Sequence, residues 1–238
     1  VIDRGAGEVV VLVAPRGQTD AADRALLAAT AAEVLGLDPA SVHVFRRCPH
    51  CGSTEHGVPS LSTPGTVSGT VTGTDAPHPA VHLSLSRAVD QVAVAVSFAG
   101  PVGVDIESVD AVTRSPVADV LLSPRERAAA SPPNGLDLAG IWCAKEAILK
   151  STGDGLRVDP RDLTLARRRE PGFGPALRSW PGAGVPLAGI LLASLDPGPG
   201  LVGRVAVLTH PGTQPTLRLL DTPDIRAWGG RSGRSTGR

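Results

Sequence analysis

The sequence has no methionine and no tyrosine, and its aromatic residues are three Phe and three Trp. So few rings leave no platform for stacking unpaired bases, which argues against a nucleic-acid reader. A surplus of one charge is also missing. The 23 Lys and Arg are matched by 23 Asp and Glu, so no global field draws polyanions or anionic membranes. Long apolar runs are absent as well: Val9 to Val13 and Ile190 to Ala193 fall far below the roughly 20 residues that span a bilayer, so no membrane association is expected. Cysteine is scarce and odd in number, with Cys48, Cys51 and Cys143, which points to reduced thiols rather than a disulfide framework. With no basic segment and apolar stretch near Val1, the expected location is cytoplasmic. Lysine is the most informative scarcity. Only two of the 23 basic residues are Lys, and both, Lys145 and Lys150, lie in one six-residue window. An ammonium is a compact point charge on a thin stem, suited to reaching a phosphate oxygen in a crowded site.

What is present describes a globular chain of 238 residues, enough for one large domain or two modest ones. Glu8 to Ala14 reads as a buried strand. A helix follows, capped at Thr19 or Asp20, striped by Leu26, Leu27, Ala31, Val34 and Leu35, and stopped at Gly36. Val42 to Arg46 reads as a short strand, and the Gly-, Ser-, Thr- and Pro-rich stretch from Gly52 to Pro79 as a mobile loop. Val81 to Ser86 and Gln91 to Phe98 alternate as a hairpin, and Val102 to Glu107 forms the next strand. Ser123, Pro124 and Glu126 supply a cap, a first turn and a capping box for a helix through Ala130, and Asp137 to Ser151 forms a longer helix. Leu163 to Ala166, Ile190 to Ser194 and Leu201 to Leu208 read as strands, with a Gly/Pro-rich connection from Pro171 to Gly184. The expected class is α+β with mainly antiparallel sheets packed with helices. The expected division is 1–100, 101–228 and a disordered tail, 229–238.

Two segments carry chemistry. In Gly103-Val104-Asp105-Ile106-Glu107, strand alternation puts Asp105 and Glu107 on one face and Val104 and Ile106 on the other. Paired carboxylates repel, a cost that a divalent cation between them removes. On the helix Trp142-Cys143-Ala144-Lys145-Glu146-Ala147-Ile148-Leu149-Lys150, Trp142, Glu146, Leu149 and Lys150 share a side, with Lys145 beside Glu146. Three carboxylates and two ammonium groups suit Mg²⁺ and a polyphosphate, since Mg²⁺ takes few carboxylates together with water and phosphate oxygens.

These two blocks, roughly forty residues apart, resemble the paired signature of the 4'-phosphopantetheinyl transferases, specifically the long, surfactin-synthetase-activating type. His82-Leu83-Ser84-Leu85-Ser86 is similar to the family's Ser-His-Ser segment. Arg46 through His56-Gly57-Val58-Pro59 is similar to the Cys-x-x-Cys-Gly and His-Gly-Lys-Pro region of actinobacterial members. The resemblance implies two similar subdomains about a pseudo-twofold axis, working as a monomer with coenzyme A in the cleft between them. It implies Mg²⁺-dependent transfer of the phosphopantetheine arm to a Ser hydroxyl of an acyl or peptidyl carrier protein, releasing adenosine 3',5'-bisphosphate. On this basis Asp105, Glu107 and Glu146 are the expected metal ligands, and Glu146 and Lys150 the expected catalytic residues. Arg46, Ser84, Lys145 and Lys150 are expected to hold coenzyme A. Leu85 and Val58 depart from the pattern, replacing a His and a Lys, so weaker coenzyme A binding, a shifted binding mode, or compensation by Arg46, Arg47, His56 or His82 is expected. A catalytically altered homologue is one alternative. A nonenzymatic nucleic-acid- or partner-binding module with a zinc knuckle built on Cys48-Pro49-His50-Cys51-Gly52 is the other, with His50 or His56 as a further ligand. Against the knuckle, two Cys are half a site and no second Cys pair follows.

Overall fold

A computed structural model describes residues 7–63, 66–67, 80–128, 133–166, 175–210 and 212–220. In chain order, β1 (Glu8–Pro15) leads to α1 (Asp20–Leu35), β2 (His43–Arg47), β3 (Val58–Thr63) and β4 (Thr66–Val67). The hairpin β5 (His82–Ala88) and β6 (Gln91–Ser97) precedes β7 (Val102–Ser108). Three short helices follow: α2 (Val109–Arg114), α3 (Ala118–Leu121) and α4 (Pro124–Arg127). The long α5 (Gly135–Thr152) comes next, then β8 (Thr164–Ala166), β9 (Ala176–Ser179), β10 (Ile190–Leu195), β11 (Leu201–Leu208) and β12 (Thr216–Leu220). The class is α+β as expected. No helix among the described residues is long and apolar enough to cross a membrane.

The layers follow from strand alternation. One sheet runs β12-β1-β6-β5 and another β10-β11-β7. On β1, Val10, Leu12 and Ala14 face α1, joining Leu27, Ala31 and Leu35 in one core, while Val9 and Val11 face the second sheet. Val104 and Ile106 of β7 join that inter-sheet core with Val205 and Val207. The opposite face of the second sheet is covered by α5, whose Ala144, Ala147 and Ile148 pack with Leu163, Ile190 and Ala206. Two buried sheets are thus sandwiched between two helices. The contact of α5 with β7 is close because position 103 is glycine: a Cβ there would lie 1.9 Å from the Ala147 carbonyl oxygen.

The helix signals operate as read. Thr19 accepts from Ala22 N, and Gly36 ends α1 in the left-handed conformation at φ 64°. Ser123 and Glu126 form the expected capping box. The helix they begin ends at Arg127, and positions 129 and 130 of the expected segment lie outside the described residues. α5 starts two residues before Asp137, because Asn134 caps it and Asp137 returns the capping-box bond.

Three readings need correction. β3 and β4 lie inside the stretch read as a loop, where Phe45↔Ser60 and Ser62↔Val67 pairings supply the order that the side-chain pattern does not. β9 lies inside the segment read as a connection and pairs with β8. β12 was not anticipated: it runs parallel to β1, so a strand from the far end of the chain joins the first sheet. The expected tail, 229–238, lies outside the described residues.

Asp23 anchors α1 to the hairpin. Its buried carboxylate accepts from Gly17 N at 2.8 Å and from Arg87 Nε at 2.5 Å, with Arg16 Nε 3.5 Å away. Burial pushes this carboxyl up, but the Arg87 and Gly17 bonds and the neighbouring Arg16 charge outweigh it and hold it below the ordinary carboxylate range. A depressed folded value means the contribution is present above the unfolded value and lost as pH falls through the folded one. Asp23→Asn should therefore cost about 2 to 3 kcal/mol near neutral pH. Urea unfolding of both proteins should show the gap narrowing as pH drops below about 4.

Candidate functional site

The carboxylates named from sequence lie on two packed elements, Asp105 and Glu107 on β7 and Glu146 on α5. Asp105 is buried, while Glu107 and Glu146 are half-buried. Ser86 Oγ donates to Asp105 Oδ1 at 2.8 Å, and Lys150 Nζ donates to the same oxygen at 2.7 Å and to Val104 O at 3.1 Å. Asp105 Oδ2 is buried without a hydrogen-bond partner. Burial raises the Glu107 carboxyl, and the nearby Asp105 and Glu146 charges raise it further against the pull of Lys150. Glu146 is raised for the same reasons, burial first and then Asp105. Three acids are therefore electrostatic neighbours in a poorly solvated place. Among the described residues, their oxygens do not form the tight grouping that Cys48, Cys51 and His56 reach.

Lys150 connects this acidic group to a cleft of about 590 Å³ between the β2–β3 hairpin, β5 and the end of α5. Arg24, Arg46, Arg87 and Arg157 also line it, against a single acidic residue, Asp154. Arg87 is committed to Asp23 and Lys150 in part to Asp105, leaving Arg24, Arg46 and Arg157 as the other cations of the wall. Ser84 lines the cleft too, with its Oγ accepting from Val104 N at 3.0 Å, which ties β5 to β7. Leu85 and Val58, the departures noted above, lie in the same wall, while Arg47 lies outside it.

Lys145 sits elsewhere. It is fully buried, and its Nζ donates to Leu121 O and to Glu126 Oε2, each at 2.7 Å. Glu126 also accepts from Ser123 N and Leu165 N, so one carboxylate ties the α4 cap, β8 and α5 together. The reading of Lys145 as a phosphate cation is corrected accordingly: one step along a helix turns a side chain by about 100°, and here that step points it into the α3–α4 layer. Trp142 is half-buried on α5. Cys143, two residues before Lys145, is buried, donates to Val202 O at 3.4 Å and has its thiol pushed up by burial and by Asp105 and Glu107, so it is inert.

Sequence reasoning missed three contributors. Ser86 shares a strand face with Ser84, and that alternation was its available signal. Glu126 was read only as a cap. Arg204 stands opposite Asp105 in the β11–β7 ladder, half-buried, with its Nε unpartnered and its guanidinium weakened by burial. Nothing in the local pattern of β11 marks it.

The family model described as the 4'-phosphopantetheinyl transferase superfamily matches residues 101–180, from the start of β7 through α5 and past β9. That segment holds Asp105, Glu107, Glu146 and Lys150, and the match supports transferase chemistry in general. No curated protein matches the chain.

Proposed function

We propose that the protein is a 4'-phosphopantetheinyl transferase of the long type, moving the phosphopantetheine arm of coenzyme A to a Ser hydroxyl of a carrier protein. The α1 and α5 halves are then the two related subdomains, with the ligand between them. One observation carries this reading: Lys150 holds the buried Asp105 carboxylate while lining a cation-rich cleft, joining an acidic site to a polyanion site.

Asp105, Glu107 and Glu146 would hold Mg²⁺. Their fit rests on hard carboxylate oxygens, the unpartnered buried Oδ2 of Asp105, and mutual repulsion that a cation relieves. When bound, Mg²⁺ supplies neutralisation of the charge that develops on the diphosphate oxygens. The chain's own groups do the rest. Lys150 uses two of its three N–H donors on Asp105 and Val104, leaving one for a phosphate oxygen. Arg46, with Arg24 and Arg157, orients the ligand's phosphates. Glu146, directly or through water, accepts the proton of the incoming Ser hydroxyl as the hydroxyl oxygen bonds to the pantetheine-side phosphorus. The bridging P–O bond breaks, and adenosine 3',5'-bisphosphate leaves with the electron pair.

Calorimetric titration of the full chain with coenzyme A tests the cleft. Binding should need Mg²⁺ and weaken with ionic strength, and Arg46→Ala should lower affinity about 10- to 100-fold through loss of a charge-assisted bond. Undetectable coenzyme A binding in Mg²⁺ would refute the assignment.

A further inference from the structure

The proposed transfer leaves unused the connection between β2 and β3, residues 48–57, on the outer wall of the cleft. Among the described residues, Cys48 Sγ, Cys51 Sγ and one His56 ring nitrogen lie within 4.8 Å of one another, and Cys51 Sγ is 3.4 Å from His56 Nε2. Tetrahedral Zn²⁺ with bonds of about 2.3 Å to sulfur and about 2.0 Å to nitrogen requires S···S near 3.8 Å and S···N near 3.5 Å. The Cys51–His56 pair already stands at that separation, with the Cys48 thiol within 4.8 Å of both.

The backbone is shaped for the same purpose. Gly52 N donates to Cys48 O at 2.9 Å and Cys48 N to Ser53 O at 2.8 Å, closing a tight turn that depends on Gly52 at φ 72°. His50 does not compete for the ion through Nε2, which donates to Gly153 O at 3.2 Å and pins the turn to the end of α5. Gly57, at φ 111°, returns the chain so close to Arg47 that a Cβ would meet its backbone at 2.4 Å.

We infer that Cys48, Cys51 and His56 bind one Zn²⁺ in the wall of the cleft, with water in the fourth position. Two thiolates and an imidazole select this borderline-soft ion over Mg²⁺. Cys48 is buried, whereas Cys51 and His56 are exposed, so solvent reaches the open side of the site. The ion fastens the 48–57 connection on itself and, through His50, against Gly153, keeping Arg46 and Val58 in place as cleft wall. Zinc binding here is independent of the transfer reaction, and its test has no activity readout.

The full-length chain, stripped with chelator and kept reduced, is titrated with Zn²⁺ and separately with Co²⁺. The expected result is one ion per chain, tetrahedral ligand-field bands with thiolate-to-cobalt charge transfer, and no displacement by excess Mg²⁺. Zn²⁺ should protect two of the three thiols from alkylation and raise the unfolding temperature, since only the folded chain presents all three ligands. Cys51→Ser and His56→Ala should each lower Zn²⁺ affinity by at least about 100-fold, with Cys143→Ser unchanged. Substoichiometric Zn²⁺, cobalt spectra without thiolate charge transfer, or full-strength binding by Cys51→Ser would overturn the inference.

Discussion

Lys145→Ala is expected to lower the free energy of unfolding by about 3 to 5 kcal/mol, because it strips the partner from a carboxylate in a largely desolvated layer. Glu126 keeps its bonds to Ser123 N and Leu165 N but loses the one charge that balances it. Burial pushes the Lys145 ammonium down and Glu126 pulls it back up, the signature of a pair whose members are costly apart. Denaturant unfolding of Lys145→Ala, Glu126→Gln and the double variant forms a cycle. The double variant should lose less than the sum of the singles, with a coupling of about 1 to 3 kcal/mol. A lysine reaching into the cleft would show neither the large loss nor the coupling.

Glu146→Gln should cut phosphopantetheine transfer by at least about 100-fold while leaving the unfolding midpoint near that of the parent chain. The substitution keeps shape and removes both a charge and a proton acceptor. Glu146 lies on the half-buried side of α5, so the helix does not depend on it for packing; Ala144, Ala147, Ile148 and Leu149 carry that load. Far-UV circular dichroism with single-turnover transfer separates the two effects. A fully active Glu146→Gln would remove the residue from the mechanism.

The elements legible in the sequence were those whose own pattern decides their structure. α1 and α5 have stripes and caps, the β5–β6 hairpin alternates, and β7 announces itself through Val104 and Ile106. β3, β9 and β12 have weak patterns and take their order from partners: β12 is largely exposed along its length and is held by β1. Legibility at the site divides the same way. Asp105, Glu107, Glu146 and Lys150 stood out by their spacing, and the fold joins Lys150 to Asp105, with Glu107 and Glu146 near enough to feel the Asp105 charge. What spacing could not supply was the direction in which Lys145 turns. Nor could it show that Cys48, Cys51 and His56 close on one another, which depends on the turn at Gly52 and the return at Gly57.

The most direct test is the intact mass of unmodified carrier proteins after incubation with this protein, coenzyme A and Mg²⁺. A gain of one phosphopantetheine unit on at least one carrier, abolished by chelating Mg²⁺ and by Glu146→Gln, is the predicted result. No gain on any carrier of a broad panel, from a protein that is folded and at full concentration, would contradict it.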